Sequence, residues 1–382
     1  MRTVWRRCAA LALAAAVFWA LSVTAGSASA AAAWESLAAA APLGALRWEL
    51  GDRRQEGLSP AAALALAQAP VLLAARQEIA AAEDPPVALE ITVSPTTEEE
   101  DEIPLTVPKE ETPVDIPGAA DNGVPAKSLL PSSPEGYTVF GRVYISNATE
   151  HPLPAEELGK TFAAELTGEN PQVLILHTHG SESYTPVEGT ELVWSGDHRT
   201  TDARYNVVRA GDAMADALAA AGISVLHDRT LYDYPNYSGA YDRSLAAIET
   251  YLTQYPSIHF ILDVHRDAIE DGEGNQFKLI SSTEAGTAAQ LSIVVGSDGS
   301  GAEHPEWMEN LRLAAAIQEE AAGRHPTLMR PILLRNSRYN QHATTGSLLV
   351  EVGAAGNSPE EAVLAAKLFG EAMAEVLTAR SK

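Results

Sequence analysis

The 382-residue chain carries 26 Lys+Arg against 51 Asp+Glu, a net charge of −25. Beyond the first few residues nothing forms the basic face that releases nucleic-acid counterions, so a phosphate-tracking protein is excluded. A hydrophobic content of 46% supports a packed core rather than wholesale disorder, and the single cysteine, Cys8, excludes an internal disulfide framework and a cysteine-based zinc cluster. Any chemistry must therefore use His, carboxylate and hydroxyl groups.

Arg2, Arg6 and Arg7 precede an apolar run over residues 8–25, and the small residues Ala28-Ser29-Ala30 follow. This is the charge order of an export signal, with the basic residues held on the cytoplasmic side. A run of about 18 uncharged residues also approaches the length of a spanning helix, so residues 1–30 fit either a cleaved signal peptide or a membrane anchor. Both predict an extracytoplasmic protein. Residues 31–82 are alanine-rich and helical in character. Residues 83–136 change sharply: Pro85, Pro86, Pro95, Pro104, Pro108, Pro113, Pro117, Pro125, Pro131 and Pro134 interrupt regular structure, and the run from Glu98 to Glu102 repels itself. Such a segment reads as an acidic, proline-stiffened spacer.

Residues 137–382 have the pattern of one α/β domain. Apolar runs over 173–176, 223–226, 258–264, 291–295 and 348–352 predict buried strands, and helices are predicted over 206–221, 241–255, 307–322 and 359–377. Strands alternating with helices imply right-handed crossovers and a mostly parallel, twisted sheet with helices on both faces. In such sheets functional groups gather at the carboxyl ends of the strands.

Three polar groups stand at those ends. The first strand runs into His177-Thr178-His179-Gly180-Ser181-Glu182, where His179 and Glu182 reach one ion if the chain turns at Gly180. Imidazole and carboxylate are the ligands that a thiolate-free catalytic zinc site uses, commonly three protein groups and one open position. The second group is Asp263-Val264-His265-Arg266-Asp267, with His265 as third ligand and Asp263 or Asp267 as the carboxylate orienting its other ring nitrogen. The third is Glu351, a carboxylate inside the apolar stretch 347–353. Burial there is costly unless a cation is near, and it raises the pKa toward that of a general base. Arg266 or Arg204 is a candidate for a substrate carboxylate or an oxyanion. His198, His227, His259, His304, His325 and His342 lack partners at ligand spacing and read as structural or solvated. The segment 271–275 lacks the length of a calcium loop and reads as a hairpin turn.

Taken together, the segment from His177 to Tyr184, Asn206 at a helix start, the segment from Asp263 to Ala268, and Leu349-Val350-Glu351-Val352-Gly353 with Asn357 resemble the stage II sporulation protein P family. Tyr144-Ile145-Ser146-Asn147-Ala148-Thr149 resembles its domain entrance, and the likeness covers residues 137–378. The resemblance implies a zinc-dependent peptidoglycan hydrolase of N-acetylmuramoyl-L-alanine amidase-like fold. It further implies cleavage between N-acetylmuramic acid and the stem peptide, cross-link endopeptidase activity, a role in engulfment, and stage II sporulation proteins D and M as partners. Carried onto this chain, it makes His179, Glu182 and His265 the metal ligands and Glu351 the catalytic carboxylate. His177 instead of His179, and Asp202 instead of Glu182, remain open as ligands. Two rival readings stand beside it: a zinc carboxypeptidase trimming stem peptides, with Arg266 or Arg335 holding the terminal carboxylate, and a non-catalytic wall-binding module.

Overall fold

The computed structural model describes residues 114–115 and 122–380, apart from 169, 194, 196–197 and 271–275. The chain divides into two units, Met1–Thr97 and Glu98–Lys382, and all described residues belong to the second. The export segment, the alanine-rich region, most of the spacer and the 271–275 turn lie outside the described residues; Glu270 and Gln276, flanking that turn, form an antiparallel bridge. No described helix is long and apolar enough to cross a membrane.

The strands are β1 Val114–Asp115, β2 Ala126–Ser128, β3 Thr138–Phe140, β4 Val143–Asn147, β5 Val173–Leu176, β6 Val225–His227, β7 Phe260–Asp267, β8 Lys278–Thr283, β9 Gly286–Ala289, β10 Leu291–Val295, β11 Ile332–Leu334 and β12 Gly346–Ala354. The helices are α1 Val207–Ala220, α2 Ala240–Gln254, α3 Trp307–Arg324 and α4 Pro359–Arg380. An eight-stranded sheet runs in the order β3-β4-β11-β10-β12-β7-β5-β6. Its pairs are parallel except β3 with β4 and β10 with β12, so the mostly parallel sheet expected from the sequence is present, with one reversal at its centre.

Alternation along the central strands assigns each side chain to a face. Val173 and Ile175 of β5, Leu262 and Val264 of β7, and Leu348 and Val350 of β12 join the large core with Met214 and Leu218 of α1, Leu311 and Ile317 of α3, and Phe369 and Met373 of α4. Leu174, Leu176 and Ile261 point the other way and pack on Ile248 of α2. Both faces are therefore covered, as continuous apolar strands demand. Asp263, His265 and Asp267 of β7 and Glu351 of β12 lie on this second face.

The strand expected over 223–226 begins later, at Val225, because Ile223 closes the preceding helix. Its N–H donates to Leu218 O and that of Gly222 to Ala219 O, with Gly222 at φ +85. These two bonds cap the last turn of α1 and delay the strand. A larger correction concerns the end of the spacer. Residues 126–128 form β2, which pairs parallel with β8 in a second sheet of order β1-β2-β8-β9, and Leu129 is buried against Ile269, Phe277 and Leu279. Proline is compatible with this edge because Pro125 contributes only its carbonyl, which accepts from Lys278 N.

Candidate metal centre

The end of β5 separates the two histidines that the sequence left as alternatives. His177 continues the alternation of Val173 and Ile175 and points toward α1. Its Nδ1 donates to Val264 O at 2.8 Å and its Nε2 lies 2.8 Å from His227 Nε2. Gly211 of α1 makes room for this pair, since a Cβ there would stand 2.7 Å from both rings. His177 is thus a core histidine, held neutral by burial with its pKa pushed down to about 3. His227 belongs to that arrangement and also reaches Asp212 at 3.1 Å.

Beyond His177 the chain crosses to the opposite face. Thr178 donates from N and Oγ1 to the Asp263 carboxylate, at 2.8 and 2.6 Å. A tight turn follows, closed by Glu182 N donating to His179 O at 3.1 Å. Gly180 lets the turn lie close against the 228–239 loop, since a Cβ there would meet the Leu231 side chain at 2.8 Å and the Thr230 carbonyl oxygen at 3.3 Å. Ser181 donates from N and Oγ to Asp233, and Glu182 forms an antiparallel bridge with Arg199.

His179, Glu182 and His265 converge, all three buried, each offering a ligand atom within 4.8 Å of the other two. His179 Nδ1 is 3.7 Å from Glu182 Oε1, and His265 Nδ1 is 3.6 Å from Glu182 Oε2. The other nitrogen of His265 lies 2.9 Å from Asp263 Oδ1, two residues back on the same face of β7. Asp263 therefore aims the His265 ring, the carboxylate–imidazole arrangement that orients metal-binding histidines. Of the two aspartates the sequence offered for that task, Asp267 instead pairs with Arg330 at 2.6 Å.

The three groups are strongly coupled electrostatically. Burial opposes charge on Glu182, yet Arg266, His265 and His179 hold its pKa well below the carboxylate range. Burial also opposes charge on His265, yet the Asp263 and Glu182 carboxylates keep its proton on well above the ordinary imidazole pKa. His179 is pushed down to about 4, chiefly by burial, and its buried Nε2 has no hydrogen-bond partner. Two imidazoles and one carboxylate around a common point, with an unpartnered ring nitrogen, fit a three-ligand zinc site with one open position.

Glu351 sits on β12 in register with His265 of the parallel neighbour β7, so their side chains share one face. The carboxyl is 4% exposed, its Oε2 has no partner, and burial followed by the Asp267 and Glu182 charges pushes its pKa up to about 8. The turn after Glu351 is tied down by Asn357, whose Oδ1 accepts from Ala354 N and Leu279 N.

With this geometry in place, the family model for Stage II sporulation protein P matches residues 91–374. The chain belongs to this family. Stage II sporulation protein P of Bacillus subtilis (strain 168) is 27% identical over 224 residues, covering 56% of this chain and 52% of that protein, so the chain spans about half the length of this curated relative. Among solved structures, the chain is similar to the N-acetylmuramoyl-L-alanine amidase AmiC2 of Nostoc punctiforme, at 13% identity and a TM-score of 0.34 over 56% of this chain and 99% of that one. It is likewise similar to the N-acetylmuramoyl-L-alanine amidase from Clostridium difficile 630, at 14% identity and a TM-score of 0.34 over 56% and 98%.

In this chain several residues singled out in the sequence stand away from the centre. Asp202 is held at the surface by Arg204, at 2.5 Å, which removes both the alternative acidic ligand and one candidate arginine. Arg266 is a correction to the substrate-binding expectation: its guanidinium is buried and donates to the carbonyls of Ser183, Asp267 and His198. It braces the Glu182 loop from within, and its backbone N–H donates to Glu182 Oε2 at 3.1 Å. Trp307 packs inward against His151. The turn from Tyr232 to Tyr237 contributes directly, since Tyr237 stacks on His179 with ring centroids 4.7 Å apart. Sequence reasoning passed over Arg199 and Arg330, which reach the site from loops, and Tyr241, which reaches it from the first turn of α2; none of them carries a spacing signature.

Proposed function

We propose that this chain is a zinc-dependent peptidoglycan hydrolase that cleaves the amide between N-acetylmuramic acid and the stem peptide during sporulation. Membership of the Stage II sporulation protein P family supports the biological setting. The observation that carries the reaction is the convergence of buried His179, Glu182 and His265 beside Glu351, a carboxyl with an unpartnered oxygen and a pKa pushed up to about 8. An apolar strand has no structural use for that carboxyl, and its presence argues for a catalyst rather than a wall-binding module.

His179, Glu182 and His265 would hold the zinc, which supplies Lewis-acid polarisation of a carbonyl and activation of water. Glu351 receives the proton of the attacking water at its carboxylate and passes it to the leaving nitrogen; a base tuned near neutrality suits both transfers. Asp263 keeps His265 in one orientation. Tyr237 and Tyr241, with ring centroids 4.7 and 5.5 Å from that of His179, shield the ligand from bulk water. The charge order of the N-terminal segment supports a site of action outside the cytoplasm, and proteins D and M of the same sporulation stage are the proposed partners.

The test is product analysis of purified peptidoglycan digested with the zinc-loaded protein. Release of intact stem peptides, leaving muramic acid with a free lactyl carboxyl, is expected from the wild type. Glu351→Gln should retain zinc and lose at least about 100-fold in rate. Release of terminal amino acids alone would instead select the carboxypeptidase reading.

A further inference from the structure

We propose that Arg199 is a substrate-binding residue that takes a free carboxylate of the stem peptide. The proposal rests on the muramyl-peptide reading above and names how that substrate is held. The site is rich in carboxylates: Glu182, Asp233, Asp263, Asp267 and Glu351 all lie buried around it, in a chain of net charge −25. A peptide that carries carboxylates of its own is repelled by such a site unless a cation receives it.

The arginines near the centre differ in what they are free to do. The Arg266 guanidinium is buried on backbone carbonyls. Arg330 is closed off with Asp267, its side chain 4% exposed. Arg199 has a side chain 20% exposed, with Nη2 3.8 Å from Oε1 of Glu182, beyond hydrogen-bond reach. Its placement is dictated by the backbone. Arg199 is bridged to Glu182 across a short antiparallel pair, flanked by Ser183 N donating to His198 O and Thr200 N donating to Ser181 O. Directly opposed residues send their side chains to one side, so Arg199 faces the same way as the ligand. His198, immediately before it, adopts φ +44, a conformation that a bulky residue occupies only when the surroundings impose it.

The guanidinium is also oriented in advance. Nη1 donates to Asp233 Oδ2 at 2.7 Å, and Asp233 is itself held by Ser181. The guanidinium carbon lies 4.6 Å from the centre of the Tyr237 ring, which stacks in turn on His179. One edge is thereby anchored, one face is covered, and the Nη2 edge makes no hydrogen bond among the described residues. A planar fork presented in this way matches a carboxylate, and little side-chain freedom is lost when it binds.

The experiment compares two muramyl peptides, one with its carboxylates free and one with each converted to the carboxamide, on wild type, Arg199→Gln and Arg199→Lys. Wild type should favour the acid by about 10- to 100-fold in kcat/KM, mainly through KM, as expected for a charge-assisted pair. Arg199→Gln should lose that preference through the acid substrate alone, with zinc content and melting temperature held, and Arg199→Lys should keep part of it. Equal losses on both substrates would overturn the proposal and leave Arg199 acting through Glu182. So would a wild type that cleaves both peptides equally well. A zinc-loaded wild type that cleaves neither defeats the functional reading itself, and the proposal with it.

Discussion

At the scale of single residues, the candidate centre is organised by paired charges. His265 keeps its proton well above the ordinary imidazole range, and Glu351, pushed up to about 8, is largely protonated at pH 7. A divalent ion must displace the first proton and favours loss of the second, so zinc binding at pH 7 should release about one to two protons. Calorimetry in buffers of different ionisation enthalpy reads this number directly; proton uptake, or none exchanged, would contradict it. Asp263→Asn removes the carboxylate that aims His265 and should weaken zinc binding about 10- to 100-fold without abolishing it. The residue types of the site were legible in the sequence because a buried glutamate and strand-end histidines are conspicuous against aliphatic neighbours. The choice between His177 and His179 was not, since it depends on which face of β5 each occupies and on the space that Gly211 leaves for His177.

At the scale of elements, three adjacent strands carry the site, and its geometry depends on how β12 leaves the sheet. Gly353, two residues after Glu351, has φ +67, and a Cβ there would lie 2.8 Å from the Ala289 Cβ. Gly353→Ala should therefore cost about 1–3 kcal/mol of stability, measured by urea unfolding, and lower activity by shifting Glu351. Unchanged stability would mean that the turn is freer than its packing implies. The apolar runs over 173–176 and 291–295 match β5 and β10 because burial on both faces leaves an unbroken hydrophobic signal. The short strands β2, β4, β9 and β11 were not legible: three to five residues long, they take their register from neighbours distant in sequence. Residues 126–129 were hidden inside the proline-rich segment for the same reason.

At the scale of the whole molecule, buried neutral histidines set the acid limit of the fold. Burial pushes His177 down to about 3 and His304 to about 4, against 6.5 for an ordinary imidazole. Below pH 6.5 the unfolded chain binds these protons before the folded one, so this part of the stability is complete above pH 6.5 and declines from there toward pH 4. His304 stands apart from the metal centre, and its buried Nε2 has no hydrogen-bond partner. His304→Gln should flatten the acid limb of a stability-against-pH curve, while an unaltered slope would remove His304 from the account. The α/β class was open to sequence reasoning from alternating apolar runs, whereas the central reversal at β10 required the pairing itself.

The central claim is that three distant segments fold to place His179, Glu182 and His265 around one zinc ion, with His177 excluded. Zinc stoichiometry by elemental analysis tests it most directly, on wild type and on His177→Gln, His179→Gln, Glu182→Gln and His265→Gln. One zinc per chain in the wild type and His177→Gln, with sharply reduced occupancy in the other three, is the predicted result. Loss of zinc in His177→Gln with retention in His179→Gln would contradict it.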